Sequence, residues 1–149
     1  MKFQHAFICI TGVCIALGSA ESQAGGPIPT CTLQIEVNAL RAGSPTVTAG
    51  ELETRDVTAK ARILKGTAVS GTNLDMTLTI EAVDGTDVIG TNSTGPITLG
   101  VGKGGKGDKL TLDATRCDGG SITFVATFSV IDVEGDLCEG TRALRRACR

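Results

Sequence analysis

Strict two-residue alternation runs through most of this chain after residue 30, and it constrains the fold more than any other feature. Leu33, Ile35, Val37 and Ala39 alternate with Thr32, Gln34, Glu36 and Asn38. Val57, Ala59, Ala61 and Ile63 alternate with Thr58, Lys60, Arg62 and Leu64, and Leu74, Met76, Leu78, Ile80 and Ala82 with Asp75, Thr77, Thr79 and Glu81. Leu110, Leu112 and Ala114 repeat the pattern around Thr111 and Asp113, and Ile122, Phe124, Ala126, Phe128 and Val130 repeat it around Thr123, Thr127 and Ser129. Successive side chains of a strand point to opposite faces, so an apolar series at period 2 marks strands half-buried in an antiparallel sheet.

Turn chemistry separates these runs. Ala42-Gly43-Ser44-Pro45, Lys65-Gly66, Ser70-Gly71-Thr72-Asn73, Asp84-Gly85 and Asp118-Gly119-Gly120 supply residues that accept positive φ or set a turn. Two shorter segments, Asp87–Ile89 and Pro96–Val101, read as edge strands, since proline suits an edge or a first position. The total is about seven strands, the number and spacing of a β-sandwich or barrel. The nineteen threonines after residue 24 agree, because a β-branched polar residue suits a solvated strand face. The last segment, 141–149, contains good helix formers but sits where the final strand of a sandwich belongs. A strand or extended tail tied by cysteine is the favoured reading, with a helix as the alternative.

The N-terminus reads as a targeting segment. Lys2 is the sole charge before Glu21, the apolar run Ala6–Leu17 spans 12 residues, and small residues follow at Gly18-Ser19-Ala20 and Ser22-Gln23-Ala24. That is a secretory signal peptide, residues 1–24, with cleavage expected after Ala24 and Ala20 the next choice. The run is shorter than the roughly 20 residues a spanning helix needs, so no transmembrane span is expected after cleavage. Residues 25–30, with Gly25-Gly26-Pro27 and Pro29, form an irregular lead-in, and 31–149 form one domain. Lys2 and Glu21 leave together, so the net charge stays at −2 and offers no global attraction to nucleic acid or anionic lipid.

Cleavage leaves four cysteines: Cys31, Cys117, Cys138 and Cys148. An even number in an exported chain argues for two disulfides and a secreted, extracellular or periplasmic, location. Successive strands of a seven-strand sandwich run up and down. Cys31, opening the first strand, and Cys138, opening the seventh, then share one end; Cys117, closing the fifth, and Cys148, closing the seventh, share the other. Bridging requires Cα atoms within about 7 Å. That favours Cys31–Cys138 with Cys117–Cys148. The rival, Cys31–Cys117 with Cys138–Cys148, follows if the strand count is even or the tail helical.

The strand count and alternation resemble an immunoglobulin-like or fibronectin type III-like sandwich over roughly residues 31–149. The resemblance implies architecture alone. No tryptophan is available for the core, no tyrosine for a tyrosine corner, and no cysteine pair at the inter-sheet bridge, so no functional residue carries across. The expected fold class is an all-β, antiparallel, disulfide-stapled β-sandwich.

Candidate chemistry is sparse. Gly100-Val101-Gly102-Lys103-Gly104-Gly105-Lys106-Gly107 contains GxGxxG twice and nearly a phosphate-binding loop, but Gly107 stands where Ser or Thr would hold magnesium. Such motifs open a helix, and here Asp108-Lys109-Leu110 starts a strand. The expectation is a flexible connection between strands; a backbone nest with Lys103, Lys106 and Lys109 is the alternative, a weak contact for a surface anion. With His5 removed, no Ser-His or Cys-His catalytic pair can form. Zinc is disfavoured by disulfide formation, and no cofactor is expected. Asp84-Gly85-Thr86-Asp87 and Asp132-Val133-Glu134-Gly135-Asp136 place oxygens on turns without matching a calcium loop, and ordinary turn chemistry explains them. Asn92-Ser93-Thr94 is a glycosylation sequon in a turn-like context, relevant in a eukaryotic host. Arg142, Arg145, Arg146 and Arg149 make a basic C-terminus, a solvated tail or a contact for an anionic partner. The expected function is a non-enzymatic binding or structural module with a protein or glycan partner on the cell exterior. The alternative is a small extracellular hydrolase using carboxylates or lysine, which a cleft of converging acidic side chains would reveal.

Overall fold

The computed structural model describes residues 31–64, 72–118, 120–132 and 134–149, with the backbone only at 113–115. The signal segment 1–24, the lead-in 25–30, and the turn residues Lys65-Gly66 and Ser70-Gly71 lie outside the described residues, as do Gly119 and Val133. Eight strands follow in order: β1 (Ile35–Arg41), β2 (Thr46–Val47), β3 (Glu53–Ile63), β4 (Asn73–Asp84), β5 (Asp87–Gly100), β6 (Lys106–Thr115), β7 (Ser121–Ile131) and β8 (Leu137–Cys148). They form a three-stranded sheet, β1-β3-β6, and a five-stranded sheet, β2-β8-β7-β4-β5. All pairings are antiparallel except β2 with β8. The fold is thus the expected all-β, disulfide-stapled sandwich, with seven long strands and one short one.

The alternating apolar residues meet between the sheets. Val57, Ala59, Ala61 and Ile63 of β3 are fully buried, as are Leu78, Ile80 and Ala82 of β4 and Ile122, Phe124, Ala126 and Phe128 of β7. Ile35 is half-buried and packs against this core. The sheets close on each other along both sides. On one, β8 crosses β1 so tightly that a Cβ on Gly140 would come within 2.6 Å of the Ile35 carbonyl oxygen, and Arg142 Nη1 donates to Val37 O at 3.2 Å. On the other, Asn92 Nδ2 of β5 donates to Thr111 O of β6 at 2.8 Å.

Three expectations need adjusting. The segments Asp87–Ile89 and Pro96–Val101 are not separate strands; both belong to β5, which does lie at a sheet edge, while Val101 beyond it makes only an isolated bridge to Ile63. Asn92 sits inside that strand rather than in a turn. The C-terminal segment is the strand β8, the favoured reading, but the alternation of β8 splits its arginines. Arg142 and Arg146 share one face and Arg145 the other, so the basic C-terminus is not a single patch.

Because the long strands number seven, the up-down parity holds. Cys31 is bonded to Cys138 with Cα atoms 5.5 Å apart, and Cys117 to Cys148 with Cα atoms 6.1 Å apart. Each bridge anchors one end of β8.

The chain leaves the three-stranded sheet after β1 and joins the other as β2. A buried cation fixes this crossover. Arg55 of β3 donates from Nη1 to Ala42 O (3.3 Å) and Ser44 O (3.1 Å), and from Nη2 to Thr46 O (2.9 Å) and Glu53 Oε1 (2.5 Å). Gly43 turns the chain there at φ 54°. Beyond it, Arg149 N donates to Val47 O at 2.9 Å and Ala49 N to Arg149 O at 3.0 Å, locking β2 to the end of β8.

Candidate functional site

The glycine-rich segment joins two strands, β5 and β6, and its glycines answer to packing. Gly102 turns at φ 69°. A Cβ on Gly107 would lie 1.7 Å from Ala59 O, and one on Gly105 would lie 2.8 Å from Ala61 O. The segment therefore presses onto the backbone of β3 where no side chain fits, a close approach that only glycine permits. No helix follows it, so the helix-terminus geometry of a nucleotide loop is lacking here.

That approach leaves a concavity of about 360 Å³ lined by Asn38, Arg62, Ile63, Leu64 and Gly102 to Gly105, Lys103 among them. Asn38 reaches it through a register shift. Val37 pairs with Ala61 and Ala39 with Lys60, so Asn38 is the extra residue of a β-bulge. Bulges re-aim a side chain in this way. Lys103 lies with its stem against Gly100. A second concavity, about 250 Å³, is lined by Ala39, Arg41, Thr58 and Lys60.

Both concavities open on the outer face of the three-stranded sheet. The register places Glu36 beside Arg62, Ala39 beside Lys60, and Arg41, Thr58 and Lys109 in one row. Among the described side chains this face carries Arg41, Lys60, Arg62, Lys103 and Lys109 against Glu36 and Asp56. Glu36 is held by Arg62 Nε at 2.7 Å, and Asp56 by Lys109 Nζ at 3.2 Å. The Thr111 hydroxyl, donating at 2.8 Å, and then Lys109 hold the Asp56 carboxyl below the usual carboxylate range. Arg41 and Lys60 have no carboxylate partner among the described residues. In a chain of net charge −2, this is a segregated cationic surface.

The sequence-selected residues distribute as follows. Lys103 lines the first concavity and Lys109 stands on the same face, whereas Lys106 pairs opposite the buried Ala61 at the start of β6. Arg145 donates to Ser121 Oγ at 2.6 Å on the outer face of the other sheet. Arg41, Lys60, Arg62 and Asn38 were not singled out from sequence. Cross-strand register gathers the three cations, and period-2 alternation alone carries no signal of it.

The acidic turns serve the backbone. Asp132 Oδ1 accepts from Glu134 N and Asp136 N, each at 2.9 Å, and stabilises the β7–β8 hairpin. Cys31, Cys138 and Asp132 converge within 4.8 Å, but both sulfurs are spent in the disulfide and cannot ligate a metal. Asp84 Oδ2 accepts from Asp118 N at 2.7 Å. A third concavity of about 270 Å³ is lined by Asp75, Thr77, Ser129, Val130, Ile131 and Leu137, so none of these three concavities brings two carboxylates together.

The fold and disulfides together define a small, doubly stapled β-sandwich domain. No protein-family profile and no curated protein matches the chain. Among solved structures it is similar to a cycloisomaltooligosaccharide glucanotransferase of Paenibacillus sp., solved in complex with cycloisomaltoheptaose, at 14% identity and TM-score 0.48. The match covers 74% of this chain and spans 13% of that enzyme. A likeness of that degree leaves the function to be read from the residues.

Proposed function

We propose that the protein is an exported, non-catalytic binding module that holds an acidic glycan on the outer face of its three-stranded sheet. The carrying observation is the segregation of Arg41, Lys60, Arg62 and Lys103 around two adjoining concavities of a chain that is acidic overall. Export is supported by the signal-like segment 1–24 and by two disulfides. The strand order, three against five with a short parallel edge strand, resembles the immunoglobulin-like arrangement. The glycan is acidic rather than neutral because no ring is available to stack on a sugar. Phe124 and Phe128 are the sole aromatics after residue 24, and both are buried. Recognition then rests on charge and on the Asn38 amide.

The test is calorimetric titration of the mature protein with a polyuronate and with a neutral glucan. Binding of the polyuronate alone, weakening as salt rises and lost in Lys60→Glu/Arg62→Glu, is expected. Equal binding of both polymers, or an unaffected double variant, refutes the reading.

A further inference from the structure

The outer face of the five-stranded sheet has a different character. Cross-strand register lines up Ser93, Thr79, Thr127 and Thr141 in one row across β5, β4, β7 and β8. The next row holds Thr91, Glu81, Val125 and Ala143. Apart from Glu81, short side chains make this centre low. Three of the four large hydrophobics exposed among the described residues stand on the same face: Val88 at one end, Ile131 and Leu137 at the other. Ile131 and Leu137 are cross-strand neighbours and form one apolar patch, with Val88 alone at the far end.

Charge indicates the occupant. Glu139 and Arg145 both point outward from β8, six residues apart, or about 20 Å, too far to pair within one copy. Their midpoint falls between Thr141 and Ala143, in the small-residue centre. A two-fold axis lying in the face and crossing the strands at that midpoint brings Arg145 over Glu139 of a second copy, and Glu139 over that copy's Arg145. The same operation sets Glu81 over Thr79 of the second copy and Asp75 over that copy's Gly85 turn. Such self-complementarity is the signature of an isologous interface.

We propose that this face is where the chain pairs with a second copy of itself, sheet against sheet, about the two-fold axis between Thr141 and Ala143. Four strands about 4.8 Å apart and about 30 Å long offer roughly 600 Å² per copy. That lies somewhat below the roughly 800 Å² per partner of a standard interface, so the dimer is reversible and concentration-dependent. It leaves the cationic face of the three-stranded sheet free on both outer sides, presenting two ligand surfaces to one polymer.

Sedimentation velocity on the mature protein from about 10 µM to about 1 mM tests this. A monomer–dimer equilibrium is expected. Glu139→Arg and Arg145→Glu are each expected to weaken it about tenfold, by setting like charges together twice. The double variant Glu139→Arg/Arg145→Glu is expected to restore the wild-type equilibrium, because the exchange keeps both pairs. That recovery also separates lost pairing from lost folding. A chain that stays monomeric throughout the range, or a double variant no better than the single ones, overturns the proposal.

Discussion

Replacing Arg55 with methionine tests how the sandwich holds its first crossover. Methionine keeps most of the apolar stem and removes four hydrogen bonds. Hydrogen bonds to a charged group are worth about 1.5–3 kcal/mol each where water cannot replace them. Ser44 is exposed, so its carbonyl rehydrates; Ala42 is fully buried and Thr46 half-buried. Counting those two bonds gives about 3–6 kcal/mol. Breaking a buried pair from one side gives a similar figure, about 3–5 kcal/mol, and the Glu53 side chain, 26% exposed, points to the lower end. Equilibrium urea unfolding should show a loss of about 3–4 kcal/mol at unchanged slope, against a typical total of about 5–15 kcal/mol. The melting temperature should fall by about 10–15 °C. Hydrogen exchange should accelerate first at the amides of Ala49 and Arg149, which hold β2 against the end of β8. Glu53→Gln keeps an acceptor and should cost about 1 kcal/mol or less. A loss below about 1 kcal/mol for Arg55→Met, or equal losses for the two variants, would refute the reasoning.

Gly107→Ala should cost several kcal/mol or abolish folding, because the new Cβ would collide with the Ala59 carbonyl, whereas Gly104→Ala, with no atom within 4 Å, should change stability by under about 1 kcal/mol; urea unfolding of both compares them. Asp56 titrates below the ordinary carboxylate range because the native state favours its charged form, first through Thr111 and then through Lys109. Its contribution is therefore present above the unfolded value and lost as pH falls through the native one. Thr111→Val should move its titration, followed by carboxyl NMR, back toward the ordinary value. Phe124→Ala, at a fully buried site in β7, should cost about 3–5 kcal/mol in chemical unfolding.

What was legible in the sequence followed from burial. β1, β3, β4, β6 and β7 each have one face in the core, so composition alternates and announces them. Strand parity then paired the four cysteines. β5 broke into two fragments because it borders solvent along most of its length. With no fully buried residue to maintain before Leu99, Gly90, Asn92 and Ser93 interrupt the pattern at little cost. β2 is two residues long, below any periodic signal. Arg55 occupies an inward position that an apolar residue would normally fill, and its role depends on carbonyls contributed by residues 42–46 across a turn. The candidate site was half legible for a similar reason. Lys103 and Lys109 stood out beside the glycines, but Arg41, Lys60 and Arg62 join them only through the register of β1 on β3. Asn38 joins through a bulge that alternation, by construction, reads past.

The binding surface itself is tested most directly by amide and side-chain NMR mapping of the isotope-labelled mature protein with a short uronic acid oligomer. The account predicts shift changes confined to Arg41, Lys60, Arg62 and the segment from Gly102 to Gly105, fading as salt is raised. Changes centred on the five-stranded sheet, or none up to millimolar oligomer, would contradict it.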